Sequence, residues 1–214
     1  MGALALALQD RVDGRVAAGA IALTLVPAPL AAPDLVGRLR GGRMDQAGAL
    51  VLGTAIASLL VIGSRGALAS GALFGATEAF AISSMIANSL PTIRDRLLPV
   101  LRVVGWAGAA LVVFTAVVLA PPLFDPPPIG TDPPLVLATA VVALALLVAG
   151  VGTSAAVARV TGRDVRAAIG GAGLRDPFLA IALATVTASP DSTGVPLLYG
   201  VFCLGLAALA FRVR

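Results

Sequence analysis

The sequence contains no histidine and no lysine, and it has one cysteine and one glutamate. Without histidine or lysine, the chain cannot build a His-based zinc site, a Ser–His triad or a Ser–Lys dyad. The single Cys203 excludes an intrachain disulfide, and its apolar surroundings indicate a small core residue. These absences predict a protein that is not an enzyme, with no catalytic residue, no metal site and no cofactor.

Charge and aromatic side chains are also scarce, whereas apolar residues are abundant. Charged residues make up 12% of the chain and hydrophobic ones 58%, and the mean hydropathy is +1.00. Soluble domains carry about 25% charged residues, roughly twice this fraction. The composition therefore predicts an all-α polytopic membrane protein. The net charge of +4 then indicates loops facing anionic lipid, not nucleic acid.

Hydrophobic runs long enough to cross a bilayer, about 20 residues each, occur along the whole chain. No linker between them is long enough for a soluble domain, so residues 1–214 are predicted to form a single membrane domain. The predicted helices are 15–36 (broken), 46–63, 67–89, 100–120, 134–157, 165–189 (broken) and 195–211.

Arginine is concentrated in alternate connections between these runs. The Arg-rich segments hold Arg38, Arg40 and Arg43; Arg94, Arg96 and Arg102; Arg159, Arg163 and Arg166; and Arg212 with Arg214. The intervening connections hold only Arg65. Because cytoplasmic loops are rich in arginine, the pattern predicts a multi-pass protein of the cell membrane with a cytoplasmic C-terminus.

Two of the apolar runs are interrupted midway by helix-breaking residues that precede an aspartate. The first break holds Pro27, Pro29 and Pro33 before Asp34; the second holds Gly170, Gly171 and Gly173 before Arg175, Asp176 and Pro177. Backbone groups freed by such breaks find no water in hydrocarbon, so breaks persist where they line a cavity or bind a ligand. Paired breaks of this kind indicate the binding site of a secondary transporter.

The spacing of the two breaks suggests an inverted repeat. Asp34 and Asp176 are about one five-helix unit apart, and a single predicted crossing follows each broken helix. Two units of five helices, with the fourth and ninth broken, would give this order. On that interpretation helices four to ten are present, and residues 2–8 are a remnant of helices one to three. We therefore expect a truncated, mis-started or split chain.

The breaks resemble those of the bile acid:sodium symporter family. Residues 27–34 occupy the place of that family's unwound fourth helix, and Gly41-Gly42 is similar to the turn that follows it. Thr54 and Ser58, four residues apart, match hydroxyls that face sodium in the next helix. Residues 171–176 are similar to the Glu-x-Gly-x-Gln-Asn motif of the ninth helix, and a Leu-Ala-rich half-helix follows.

The departures from this family pattern concern the ion site. Gly171 stands where the family has its sodium-binding Glu, Arg175 replaces Gln and Asp176 replaces Asn. In the first break Asp34 replaces Asn and Pro33 replaces Ser. The resemblance implies the scaffold of an inverted-repeat transporter with two crossing broken helices, while the missing Glu argues against sodium coupling.

On this scaffold Asp34, Arg175 and Asp176 are expected to meet near the middle of the membrane, with Arg175 paired to one aspartate. Charges at that depth are costly and usually functional. Arg175 could replace a bound sodium, lock the helices together, or bind a substrate carboxylate through its planar fork.

Three further polar residues are candidates with a competing structural explanation. Glu78 could contact a proton or substrate, or be a buried protonated acid bonded to Thr77 or Ser83. Thr54 and Ser58 could contact an ion, or bond their own backbone or a neighbouring helix.

The sequence therefore predicts a secondary transporter that moves a small organic anion or amphipathic acid by alternating access. Proton coupling and uniport remain open beside sodium coupling, which is disfavoured. The alternatives are a cation/proton exchanger on a similar scaffold and, in another class, a non-transporting remnant or interaction subunit.

Overall fold

The computed structural model of the protein describes residues 2–8, 11–29, 32, 36–37, 42–63, 100, 103, 114, 135–188 and 190–212. All regular secondary structure in these residues is helical. The predicted helix at 67–89 lies outside them, as does the helix at 100–120 apart from three residues. Those three residues, Val100, Val103 and Phe114, are helical and exposed.

The helices of the described residues are named here in chain order. They are α1 (Gly2–Leu8), α2 (Gly14–Leu25), α3 (Met44–Gly63), α4 (Leu135–Val160), α5 (Val165–Ala168), α6 (Pro177–Thr187) and α7 (Gly194–Arg212). A π-helical turn, Ile169–Gly173, continues α5, and a 3-10 turn, Pro190–Thr193, precedes α7. The helix predicted at 46–63 thus spans Met44–Gly63, and the one predicted at 134–157 spans Leu135–Val160.

Two helical segments of the described part are long and apolar enough to cross a membrane by length and composition. They are Leu135–Val160 and the broken segment Val165–Thr185. Their mean hydropathies are 2.6 and 1.3. Large apolar side chains such as Val148 and Val157 are exposed on α4. This surface is consistent with membrane association, because monomeric soluble proteins rarely expose wide apolar patches.

The main core lies where α2, α4, α6 and α7 pack together. Leu23, Leu146 and Tyr199 are among its fully buried side chains. Small residues allow close packing here: a Cβ at Gly19 of α2 would collide with the backbone oxygen of Ser192. This core holds both broken segments against α4 and α7.

Asp164 joins two helix ends at one end of the molecule. One of its carboxylate oxygens accepts the N–H groups of Arg166 and Ala167 at the start of α5, and the other accepts the N–H of Arg43 at 3.0 Å. Burial alone would raise the pKa of this carboxyl, but the three N–H donors lower it below its ordinary value. The connection before α3 therefore contacts the connection between α4 and α5. The arginine pattern assigns both connections to the same side of the membrane.

Candidate functional site

The first break begins where α2 ends at Leu25. Val26 is extended, with φ −80° and ψ 152°, and the chain stays non-helical through Pro29. Proline lacks an N–H and its ring clashes with the preceding turn, so Pro27 and Pro29 prevent α2 from continuing. Both Pro27 and Ala28 are buried, so their backbone polar groups need protein partners.

The second break is built differently, because a π-helical turn leads into it. The N–H of Leu174 donates to the carbonyl of Ile169 at 3.0 Å, five residues back, and Leu174 itself is extended. The chain then remains non-helical until Pro177, which starts α6 at a position where proline costs no hydrogen bond. Single π-helical turns occur frequently at functional sites.

The two breaks contact each other directly through the backbone. The N–H of Asp176 in the second break donates to the carbonyl of Pro27 in the first, at 3.0 Å. Beside this contact, the N–H of Ala28 donates to the Thr54 hydroxyl on α3 at 3.1 Å. One N–H and one carbonyl freed by the breaks therefore bond to each other, and α3 supplies the acceptor for a second N–H. Broken helices persist within hydrocarbon where such freed groups find protein partners.

Tyr199 of α7 supports the second break through a hydrogen bond, and it was not among the residues predicted from the sequence. Its side chain is fully buried, and its hydroxyl accepts the N–H of Arg175 at 3.0 Å. Buried tyrosine hydroxyls usually have a hydrogen-bond partner. The signal in the sequence was the presence of the only tyrosine of the chain within an apolar helix.

Arg175 is half-buried and carries an unused donor. Its Nε atom is buried and has no hydrogen-bond partner in the described part of the chain. Leaving a buried donor unpaired costs about 1–3 kcal/mol, and more for a charged group. An oxyanion that reaches this atom would remove that penalty.

Asp176 caps the helix that follows the second break. Its Oδ1 accepts the N–H groups of Phe178 at 3.0 Å and Leu179 at 3.1 Å, which caps the start of α6. The ion pairs among the described residues are Arg15–Asp13 and Arg43–Asp45, and neither includes Arg175. The extended backbone of Asp176 turns its carboxylate toward the N–H groups of α6. The possible partner Asp34 lies outside the described residues, as do Pro33 and Glu78.

Three glycines of the second break allow close packing. A Cβ at Gly171 would lie 2.7 Å from the backbone oxygen of Ala47 and 2.7 Å from the Cβ of Leu50, both on α3. A Cβ at Gly170 would lie 2.7 Å from a methyl of Val36, and one at Gly173 would lie 3.0 Å from the carbonyl oxygen of Gly150. Position 171, where the resembling family places its glutamate, therefore has no room for any side chain.

Thr54 and Ser58 both lie on α3, and the structure brings only Thr54 into hydrogen-bonding contact with a break. The Thr54 hydroxyl also donates to the carbonyl of Val51 at 2.9 Å. Donation to its own helix and acceptance from Ala28 give this hydroxyl a structural role. Ser58 is buried one turn further along α3.

Replacing Thr54 with valine is expected to lower the free energy of unfolding by about 1–3 kcal/mol, because the buried N–H of Ala28 would lose its acceptor. Thermal unfolding of the full chain in uncharged detergent micelles measures the effect. Thr185→Val is the control, since the hydroxyl of Thr185 bonds only to Ile181 of its own helix among the hydrogen bonds of the described residues. Equal effects of the two substitutions would contradict the bridging role of Thr54.

The chain was compared with protein-family models, with curated proteins and with solved structures. None of these comparisons finds a match.

Proposed function

We propose that this protein is a secondary transporter that moves a small organic anion, or an amphipathic acid, by alternating access and without sodium. The observation that carries the proposal is the hydrogen bond between Asp176 and Pro27, which brings two broken segments together. Beside it lies a buried arginine donor that has no partner among the residues that the structure describes. Broken helices that meet in this way form the binding sites of many transporters.

The charges at this contact favour an anion over a cation. One oxygen of the Asp176 carboxylate accepts two N–H groups of α6, whereas the Nε of Arg175 has no partner among the described residues. The start of α6 adds partial positive charge, as helix N-termini do. A carboxylate suits the planar donor group of arginine better than a metal cation would.

Binding by the purified full chain in uncharged micelles tests this proposal. Cholate, octanoate and succinate are used as probes, and thermal unfolding is followed as each is added. A ligand at 100 times its Kd stabilises the folded state by about 2.7 kcal/mol. We expect at least one of these acids to stabilise the protein, and its neutral alcohol or amide analogue not to do so.

Arg175→Gln should abolish that stabilisation. Arg166→Gln is the matched control, because Arg166 is an exposed arginine of the same broken segment. Proteoliposomes loaded with buffer then report uptake of the labelled acid that binds. Uptake that depends on Arg175 supports the transporter, and binding without uptake would favour the interaction subunit.

Sodium is expected to have no effect on stability or uptake. The glutamate that would bind it is replaced by Gly171, and backbone and side-chain atoms of α3 fill the space beside that residue. Thermal unfolding in sodium chloride and in potassium chloride at equal ionic strength is the measurement. A rise in melting temperature that occurs with sodium alone would overturn this expectation.

A further inference from the structure

A cleft of about 450 Å³ lies beside the second break, on the end of the molecule where Asp164 joins two helices. Val157 of α4, Leu50 of α3 and Ala172 of the π-helical turn form apolar parts of its wall. Its volume falls within the range of about 300–1,000 Å³ that small-molecule sites occupy. The cleft is therefore large enough for part of an alkyl chain between three helical segments.

The polar lining of this cleft carries charge of one sign. Arg163 lines it together with hydroxyl residues such as Thr161, and the described residues that line it include no Asp or Glu. Arg163 takes part in none of the ion pairs of the described residues. Arg43, at the same end, is already paired with Asp45 at 2.9 Å. The cleft thus combines one uncompensated cation with apolar walls.

The surroundings of the cleft are suited to lipid. Val157, which forms part of the wall, is 61% exposed, and Val160, three residues further along α4, is 87% exposed. The arginine pattern assigns this end to the cytoplasmic side, where anionic lipids attract basic residues. Basic pockets between helices at that surface are known sites for anionic lipid headgroups.

We propose that this cleft binds an anionic phospholipid, with the phosphate at Arg163 and an acyl chain along Leu50, Val157 and Ala172. The proposal depends on membrane placement but not on transport. The site is separate from Arg175, which is not among the described residues that line the cleft. Because the π-helical turn forms one wall, a bound lipid would also support the second break.

Lipid binding by the full chain in uncharged micelles tests the proposal. Native mass spectrometry counts the bound molecules while phosphatidylglycerol or phosphatidylcholine with the same acyl chains is titrated. We expect one phosphatidylglycerol to bind with preference over phosphatidylcholine. Arg163→Gln should weaken that binding about fivefold, the usual contribution of one basic residue near an anionic surface.

Two controls test whether lipid binding depends on the cleft itself or only on the total charge and the packing of the protein. Arg159→Gln removes an exposed arginine that does not line the cleft, so it should change binding less than twofold. Ala172→Leu should fill the cleft and block binding, whereas Ala156→Leu, on the exposed face of α4, should not.

Three outcomes would overturn the proposal. The first is that phosphatidylglycerol and phosphatidylcholine bind equally well. The second is that Arg163→Gln and Arg159→Gln weaken lipid binding equally. The third is that oleate binds saturably while phosphatidylglycerol does not bind. The last outcome would assign the cleft to a free amphipathic acid. Because Arg163→Gln alters an exposed residue, its result stands even if Ala172→Leu fails to fold. Transport through the Arg175 site can fail without affecting any of these measurements.

Discussion

Gly171→Ala is expected to lower the free energy of unfolding by about 1–3 kcal/mol, the usual cost of overfilling a packed site. The added Cβ would lie 2.7 Å from a backbone oxygen of Ala47, which cannot rotate away as a flexible side chain could. For a chain of this size, that loss corresponds to a fall in melting temperature of roughly 3–10 °C. Thermal unfolding in uncharged micelles measures it.

Gly152→Ala provides the matched control for this substitution. Gly152 lies within α4, is exposed, and has no atom within 4 Å of the position a Cβ would take. There the substitution should stabilise the helix by about 0.5–1 kcal/mol, because glycine is a poor helix former in aqueous surroundings. Similar changes at both positions would show that the π-helical turn is not packed against α3.

Gly171→Glu extends the test to function. It restores the carboxylate of the resembling family but adds more atoms where one already collides. We expect a larger loss of stability and no response to sodium. A stable Gly171→Glu protein whose melting temperature rises with sodium would contradict the packing of α3 against the second break.

Asp176→Ala should have the other large effect. Two N–H groups at the start of α6 would lose their acceptor, and loss of an N-cap alone costs about 0.5–2 kcal/mol. Because Asp176 lies in a partly buried break, the penalty of the unpaired N–H groups adds to this, for a total of about 2–4 kcal/mol. Thermal unfolding again reports the change.

Asp176→Asn distinguishes capping from ion pairing. Asparagine is as good an N-cap as aspartate, so this variant should lose less than about 0.5 kcal/mol. If the negative charge of Asp176 instead balanced Arg175, both variants would lose stability, because breaking a buried pair costs about 3–5 kcal/mol. Asp164→Ala removes the more exposed cap of α5 together with the acceptor of the Arg43 N–H, so its loss sets an upper limit for a cap effect near the surface.

The sequence predicted the positions of the two breaks from proline and glycine alone. Proline cannot continue an α-helix, and a cluster of glycines weakens one, so the local pattern was sufficient. The helices Met44–Gly63 and Leu135–Val160 also begin and end close to the predicted positions. Long apolar runs are compatible with few other secondary structures. The structure adds which segments touch, and that depends on tertiary packing.

The details of the candidate site were harder to predict. An aspartate before a proline can cap a helix or pair with a neighbouring arginine, and the sequence does not indicate which for Asp176. Tyr199 is distant in the chain from Arg175, so their hydrogen bond appears only in the folded protein. The close contact of Gly171 with α3 also has no local signature, since glycine is equally compatible with an open turn.

The contact between the breaks joins an N–H of Asp176 to a carbonyl of Pro27, so no side-chain atom takes part in it. Every residue offers a main-chain carbonyl, and every residue except proline offers an N–H. This hydrogen bond therefore constrains the backbone conformation of the two breaks and requires little of the side chains at these positions. The side chains around this hydrogen bond can therefore change over evolutionary time without breaking the contact between the two segments.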